Sequence, residues 1–457
     1  MRINVRTAVR THEGAMAVPS LSAERLLRCT VLSCLLWEDT FYEDGESIAN
    51  RIVATASAVS PQVLAATAIE AREVFHLRHA PLLLLEVLSR TGKGDKLIAD
   101  TVHRVIQRAD ELGEMVAMHH KLGGKRMLPA QMRNGLARAF AKFDEHTLAK
   151  YDRDGAVKLR DVLRLVRPRP QTDAQSTLWK RVKDRTLATP DTWEVALSAG
   201  ADKRATFERL LREGKLSYLA LLRNLRNMAE AKVDRALVRN AILARRGGAQ
   251  RVLPFRFVAA AKAAPEFERE LDEALLANLS QTLKIGGRTV VLLDVSGSMN
   301  SRLSAKSELT RMQAAAALSA ICMEVFSDVA VYATAGNDST RVHATNRVPS
   351  RRGMALVDAI CQMWRPLGGG GIFLKQVCAY LSKQEADVER MIVVTDEQDC
   401  GIAAGDSPLD ARPLGRVANY LINVASYRNG IGYGRWTHID GFSEAAIRYI
   451  REIEMVQ

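Results

Sequence analysis

The stretch Arg288-Thr-Val-Val-Leu-Leu-Asp-Val-Ser-Gly-Ser-Met-Asn300 decides how this chain is read. Its run from Thr289 to Leu293 is β-branched or aliphatic at every position, the pattern of a strand buried on both faces. The strand ends at Asp294. Asp294, Ser296 and Ser298 then set one carboxylate and two hydroxyls at alternate positions of a tight loop. In an open α/β sheet, ligands bind just past the carboxyl ends of strands. Hard oxygen donors converging there suit Mg²⁺, which keeps several waters and takes few protein ligands.

Asp-x-Ser-x-Ser alone is a weak signal, because Ser and Asp are common in ordinary turns. Its surroundings strengthen it. A helix-length segment, roughly Thr310 to Phe326, follows. A second apolar strand, Met391-Ile-Val-Val-Thr-Asp396, ends in another carboxylate. These features resemble the metal-ion-dependent adhesion site of the von Willebrand factor A-type domain, where a later Thr and a later Asp complete the shell. The resemblance gives the metal set as Asp294, Ser296, Ser298 and Asp396, and implies Mg²⁺ or another divalent cation as cofactor. The Thr is missing. Where the family has Gly-Gly-Thr this chain has Gly368-Gly-Gly-Gly371-Ile372, so Gly370 stands at the Thr position and one oxygen ligand is lost.

Around that loop the chain alternates strand and helix. Strands are expected at Thr289–Asp294, Val329–Ala333, Met391–Thr395 and Asn419–Ser426. Helices are expected after Ser307 and over Gly353–Met363, Phe373–Ser382 and Ser443–Met455. This predicts a doubly wound α/β domain over 287–457. Ile285-Gly-Gly287 marks its start.

The first 286 residues read differently. Residues 1–20 are polar and Pro-containing and are expected to form an arm, and Ser22 to Trp37 show helical spacing after a Ser cap. Further helix-length segments then follow, separated by short breaks: Gln62–Phe75, Ala80–Ser89, Asp95–Met118, Pro129–Phe143, Arg160–Val166, Ala205–Glu213, Ser217–Met228 and Lys232–Arg246. Ala, Leu and Arg dominate. Helix after helix with short turns predicts an α-solenoid of the HEAT type, which offers an extended surface rather than a pocket.

The formal net charge of +13 sits in this first part. Residues 1–290 hold 48 Lys and Arg against 34 Asp and Glu, while residues 291–457 hold 17 against 18. The excess is densest over 121–170, with 13 basic residues against 5 acidic. A localised basic surface points to nucleic acid or another polyanion. Within it, Arg160, Arg164 and Arg167 stand at i, i+4 and i+7 of one helix, with Val162, Leu163 and Val166 between them. One face is apolar and the other is a basic stripe spaced for phosphates.

Other chemistries find no support. The Gly-rich run lacks the Gly-Lys-Ser/Thr ending of a phosphate-binding loop. His119 and His120 are neighbours on a helix and point apart, which suits no chelate. The six cysteines form no C-x-x-C pair, and most lie in apolar helical runs and read as buried thiols of a reducing cytoplasm. No uninterrupted apolar run is long enough to span a membrane. The amino terminus, Met1-Arg-Ile-Asn-Val-Arg, carries no apolar leader. No nucleophile–base set can be assembled, so the chain is not expected to be an enzyme.

Several stretches, in order and spacing, resemble the Ro autoantigen family of TROVE-domain proteins. They are Leu36-Trp-Glu-Asp-Thr-Phe-Tyr, Lys150-Tyr through Asp161-Val-Leu-Arg-Leu, Leu221-Leu-Arg-Asn-Leu225, Leu253-Pro-Phe255 and Leu293-Asp-Val-Ser-Gly-Ser-Met299. The resemblance implies a ring of HEAT-like helical repeats over 1–286, joined to the A-type domain over 287–457. It implies binding of small noncoding, Y-like RNA and of misfolded RNA with single-stranded 3′ ends, in RNA quality control or ribonucleoprotein assembly. It also implies a monomeric ring without membrane contact, with an exoribonuclease as a candidate protein partner. The RNA-contacting residues it suggests are Lys150, Arg153, Lys158, Arg160, Arg164 and Arg167. The family's Trp-Ser-His is replaced by Ala156-Val157-Lys158 and its final His by Arg167, so positive charge is kept but the detailed geometry is not. The competing expectation is a protein-interaction scaffold that captures a partner's carboxylate at the metal loop.

Overall fold

Ala, Leu and Arg are strong helix formers, and they build helices almost without interruption up to Leu279. The computed structural model describes residues 9–10, 16–17, 23–33, 45–92, 94–123, 127–152, 155–252, 254–279, 284–303, 309–396, 398–401, 411–425, 435–440, 446–447, 450 and 454. The stretch at 36–42 and Arg153 lie outside them, as does most of the helix expected over Ser443–Met455. Two strands of two residues, β1 (Val9–Arg10) and β2 (Met16–Ala17), form an antiparallel ladder. Then come α1 (Ala23–Ser33), α2 (Gly45–Ala56), α3 (Pro61–Glu73), α4 (His79–Thr91), α5 (Lys96–Val105), α6 (Ala109–Gly123), α7 (Ala130–Phe140) and α8 (Glu145–Tyr151). They are followed by α9 (Leu159–Val166), α10 (Asp173–Asp184), α11 (Trp193–Ser198), α12 (Lys203–Arg212), α13 (Tyr218–Glu230), α14 (Arg235–Ala244), α15 (Pro254–Ala263) and α16 (Glu268–Leu279). The chain divides into two compact units. One is Ala23–Val31 with Ala49–Leu210; the other is Met1–Ser22 and Leu32–Ile48 with Leu211–Gln457.

In the helical unit, polar side chains start the helices. Ser60 accepts from the Val63 amide ahead of Pro61, Asp95 from Leu97, and Asp144 from Thr147. α3 packs on α5, α5 on α7 and α7 on α9, while α4 packs on α6. Alternate helices thus share a layer, which is the stacking of HEAT-like repeats. Gly135 permits the α5–α7 approach: a Cβ there would lie 2.6 Å from the Val102 Cβ and 2.7 Å from the Ala99 carbonyl oxygen.

Asp95–Met118, expected as one helix, is two. Ile106 is extended, and the buried Glu111 carboxylate takes the amides of Gln107 (2.9 Å) and Arg108 (3.0 Å) to open α6. The other oxygen of Glu111 receives Arg72 at 2.7 Å, so a buried ion pair ties α3 to α6. His119 turns inward to Glu86 at 2.8 Å, and His120 is exposed.

The other unit carries α13–α16 and a six-stranded sheet. Its further elements are β3 (Ile285–Asp294), α17 (Arg311–Val325), β4 (Phe326–Asn337), β5 (Val342–Arg347), α18 (Gly353–Gln362), α19 (Leu374–Gln384), β6 (Arg390–Thr395), β7 (Ala418–Asn423) and β8 (Thr437–Asp440). The order is β5-β4-β3-β6-β7-β8, parallel except for the edge pair β4–β5. β3 is buried from Thr289 to Asp294, and β6 along its whole length. Leu374, Val377 and Leu381 of α19 pack with Val290 and Leu292 in one core, while α17 packs against β3 and β4. The fold class is therefore the expected one, a helical array followed by a doubly wound α/β domain. The Ile285-Gly-Gly287 junction is already strand. The two glycines absorb a register shift against β4 between Ile285 and Arg288, with Gly287 at φ +90°.

Candidate functional site

Parallel pairing of β3 with β6 sets Leu293 beside Val394, and this brings the two expected carboxylates to one edge of the sheet. Asp294 is fully buried. Its Oδ1 accepts the Ser296 amide at 2.8 Å and its Oδ2 accepts the Thr395 hydroxyl at 2.7 Å. The Ser296 and Ser298 hydroxyls lie 3.1 Å apart. Burial, and next the negative charge of Asp396, push the Asp294 carboxyl up to about 7. Asp294, Ser296, Ser298 and Asp396 are thus gathered around one loop.

Asp396 is also fully buried, and it has a partner that was not foreseen. Arg311, the first residue of α17, places Nη1 3.0 Å from Asp396 Oδ2 and 3.5 Å from the Ser298 carbonyl oxygen. Arg311 is 1 % exposed. The other oxygen of Asp396, Oδ1, is buried and has no hydrogen-bond partner among the described residues.

The Gly-rich run closes over the loop by backbone contact. Gly297 donates to the Gly369 carbonyl at 2.8 Å, and Gly370 donates to the Gly336 carbonyl at 3.1 Å. A Cβ at Gly370 would stand 2.5 Å from that Gly336 oxygen, so no side chain fits there unless the backbone moves. Asp399 serves the same corner structurally: its carboxylate takes the amides of Leu374 (2.8 Å) and Gly401 (2.7 Å). Among the described residues, the donor set for a divalent ion therefore consists of Asp294, the two serines and the orphaned oxygen of Asp396. A guanidinium is already seated on that last carboxylate.

The basic segment forms a separate surface in the helical unit. α9 buries Leu159, Val162 and Val166 and packs against α6, α7 and α10. Its opposite face exposes Arg164, and Arg167 is exposed at the left-handed C-cap (φ 48°). Arg160 is half-buried. Asp161 lies 3.9 Å from both the Arg160 and the Arg164 guanidinium, and it neutralises part of the stripe. Lys158 caps the helix by donating its amide to Asp161. Lys150 stacks its ammonium 5.7 Å from the Tyr151 ring, which Arg108 approaches at 4.9 Å.

A second cationic group lies within the other unit. Arg223 and Arg226 of α13 and Arg256 and Lys262 of α15 line a hollow of about 350 Å³ together with Asn227 and Phe255. The Arg256 guanidinium lies 4.7 Å from the Phe255 ring centre. The i, i+3 spacing of Arg223 and Arg226 can be read where Leu221-Leu-Arg-Asn-Leu225 runs on into Arg226. Their meeting with α15 is a tertiary fact.

The family model for the TROVE domain matches residues 177–360. That stretch, and not the whole chain, is what resembles a TROVE domain. The TROVE match takes in the α13–α15 hollow, the Asp294 loop and Arg311, while α9, the Gly-rich run and Asp396 lie outside it. The crystal structure of the Deinococcus radiodurans RO (RSR) protein superposes with a TM-score of 0.61 at 20 % identity, covering 93 % of this chain and 98 % of that one. That likeness is one of fold over nearly the full length of both chains. Together the two comparisons bear out the resemblance to the Ro family.

Proposed function

We propose that this TROVE-domain chain binds RNA through phosphate contacts. The observation that carries the reading is α9. Its buried Val162 and Val166 leave Arg164 and Arg167 facing water on a helix fixed at its back. Cations held in this way contact a phosphate backbone with little base readout. The α13–α15 hollow adds arginines beside an aromatic ring, a combination suited to an unstacked base and its phosphate.

We extend the proposal to the ligands that the family resemblance implies: small noncoding, Y-like RNA and misfolded RNA with a single-stranded 3′ end. The role is RNA quality control or ribonucleoprotein assembly in the cytoplasm, with an exoribonuclease as the candidate partner and no catalytic step in this chain. The rival role, capture of a partner's carboxylate at the metal loop, meets an obstacle: Asp294, Asp396 and Arg311 are all buried. Among the described residues no helix is long and apolar enough to cross a membrane.

The test is a titration with one structured RNA in two forms, tailed at the 3′ end and blunt, at two salt concentrations. Tail-dependent binding supports the proposal. Equal, salt-labile binding of both forms reduces it to a nonspecific basic surface, and no binding of either overturns it.

A further inference from the structure

Two carboxyl groups closed off from water at the ends of adjacent strands cannot both stay ionised without a cation. In a site built for a divalent ion, the metal supplies it. Here the chain departs from that pattern at Gly370, and a guanidinium already stands at the loop; both observations point the same way. Gly370 removes a hydroxyl ligand and leaves no room to restore one, because a Cβ there meets the Gly336 carbonyl oxygen at 2.5 Å. Arg311 adds a positive charge, with Nη1 reaching both Asp396 Oδ2 and the Ser298 carbonyl oxygen.

The placement of Arg311 is built in. Thr310 and Gln313 form a reciprocal cap at the start of α17, and the Arg311 amide donates to Ser301 at 3.0 Å. The backbone from which the guanidinium extends is therefore held by the helix cap and by Ser301. The amino-terminal end of α17 also favours the negative charge of Asp396. A divalent ion on the remaining Asp396 oxygen would share that carboxylate with a fixed cation and would be repelled by it.

We infer that Arg311 is the resident cation of this loop, a tethered guanidinium in the role a divalent metal plays in the family pattern. The wild-type loop therefore stands without a divalent ion. Its chemistry is that of a closed ion pair, and the A-type domain of this chain has no metal-dependent capture of carboxylates.

The experiment compares thermal unfolding of the full chain in EDTA with unfolding in millimolar Mg²⁺, and measures Mn²⁺ binding by electron paramagnetic resonance. The wild type is expected to unfold at the same midpoint in both and to leave Mn²⁺ in solution. Arg311→Met strands Asp396, so its midpoint should fall in EDTA. Mg²⁺ should recover part of the fall, and Mn²⁺ binding should appear. Should that variant fail to fold, Arg311→Met with Asp396→Asn removes both charges together and should fold without responding to metal. A wild-type midpoint raised by Mg²⁺, or Mn²⁺ bound by the wild type and lost in Asp294→Asn, would overturn the inference.

Discussion

The Asp294 carboxylate and the Thr395 hydroxyl meet at 2.7 Å across the neighbouring strands β3 and β6, in a place closed to water. Thr395→Val keeps the shape and removes the donor, leaving a buried carboxylate oxygen short of a partner. The expected loss is about 1–3 kcal/mol of unfolding free energy, with Thr395→Ser close to wild type. Chemical denaturation of the three proteins checks it.

Asp294 also sets a pH dependence. Burial and the charge of Asp396 raise its folded-state value from 3.8 to about 7. Between those values the folded state holds a proton that the unfolded state has released, so this group's contribution to stability falls as pH rises through the window and levels off above it. Asp294→Asn should flatten that decline. Unfolding midpoints of both proteins across pH 4 to 7 give the difference directly, and parallel curves would exclude the effect.

Neutralising Arg160, Arg164 and Arg167 together should weaken RNA binding for all sequences alike. If all three contact phosphate, the slope of log K against log salt drops by roughly 2 to 3 units. Asp161 already holds part of the charge of Arg160 and Arg164, so the lower end is expected. An unchanged slope moves the phosphate contacts elsewhere, and the same titration with Arg223→Ala and Arg226→Ala then asks whether α13 carries them.

Gly370→Thr restores the family's residue and should still not restore a metal site. Its Cβ collides with the Gly336 carbonyl oxygen, so the variant should lose about 1–3 kcal/mol, as overpacked sites do, and show no gain in midpoint with Mg²⁺.

Gly135→Ala sets two principles against each other. Ala is the better helix former by up to about 1 kcal/mol. Its methyl would nonetheless press on Val102 and the Ala99 carbonyl, and overpacking of that kind costs about 1–3 kcal/mol. Net destabilisation is expected, read as a lower denaturant midpoint at unchanged slope.

The apolar run at β3 was legible because burial on both faces leaves no polar position to interrupt it. β5 was not, since Val342-His-Ala-Thr-Asn-Arg347 is a half-exposed edge strand with no apolar run. The break between α5 and α6 escaped notice because the Glu111 carboxylate that makes it lies inside what reads as continuous helical spacing. Asp294, Ser296, Ser298 and Asp396 could be gathered from motif and strand order. Arg311 could not: after a Thr cap it reads as a surface arginine, and its burial depends on an Asp 85 residues further on. The stripe on α9 was visible as spacing, but the pairing of Asp161 with its arginines was not.

β3 has a parallel neighbour on each side, β4 and β6, so its amides face no open edge. Solvent hydrogen can reach Val291, Leu292 and Leu293 only when the whole domain opens, and these amides should be among the slowest to exchange. The loop that begins at Asp294 is rooted in that strand, so each refolding event that rebuilds the strand must rebuild the loop as well.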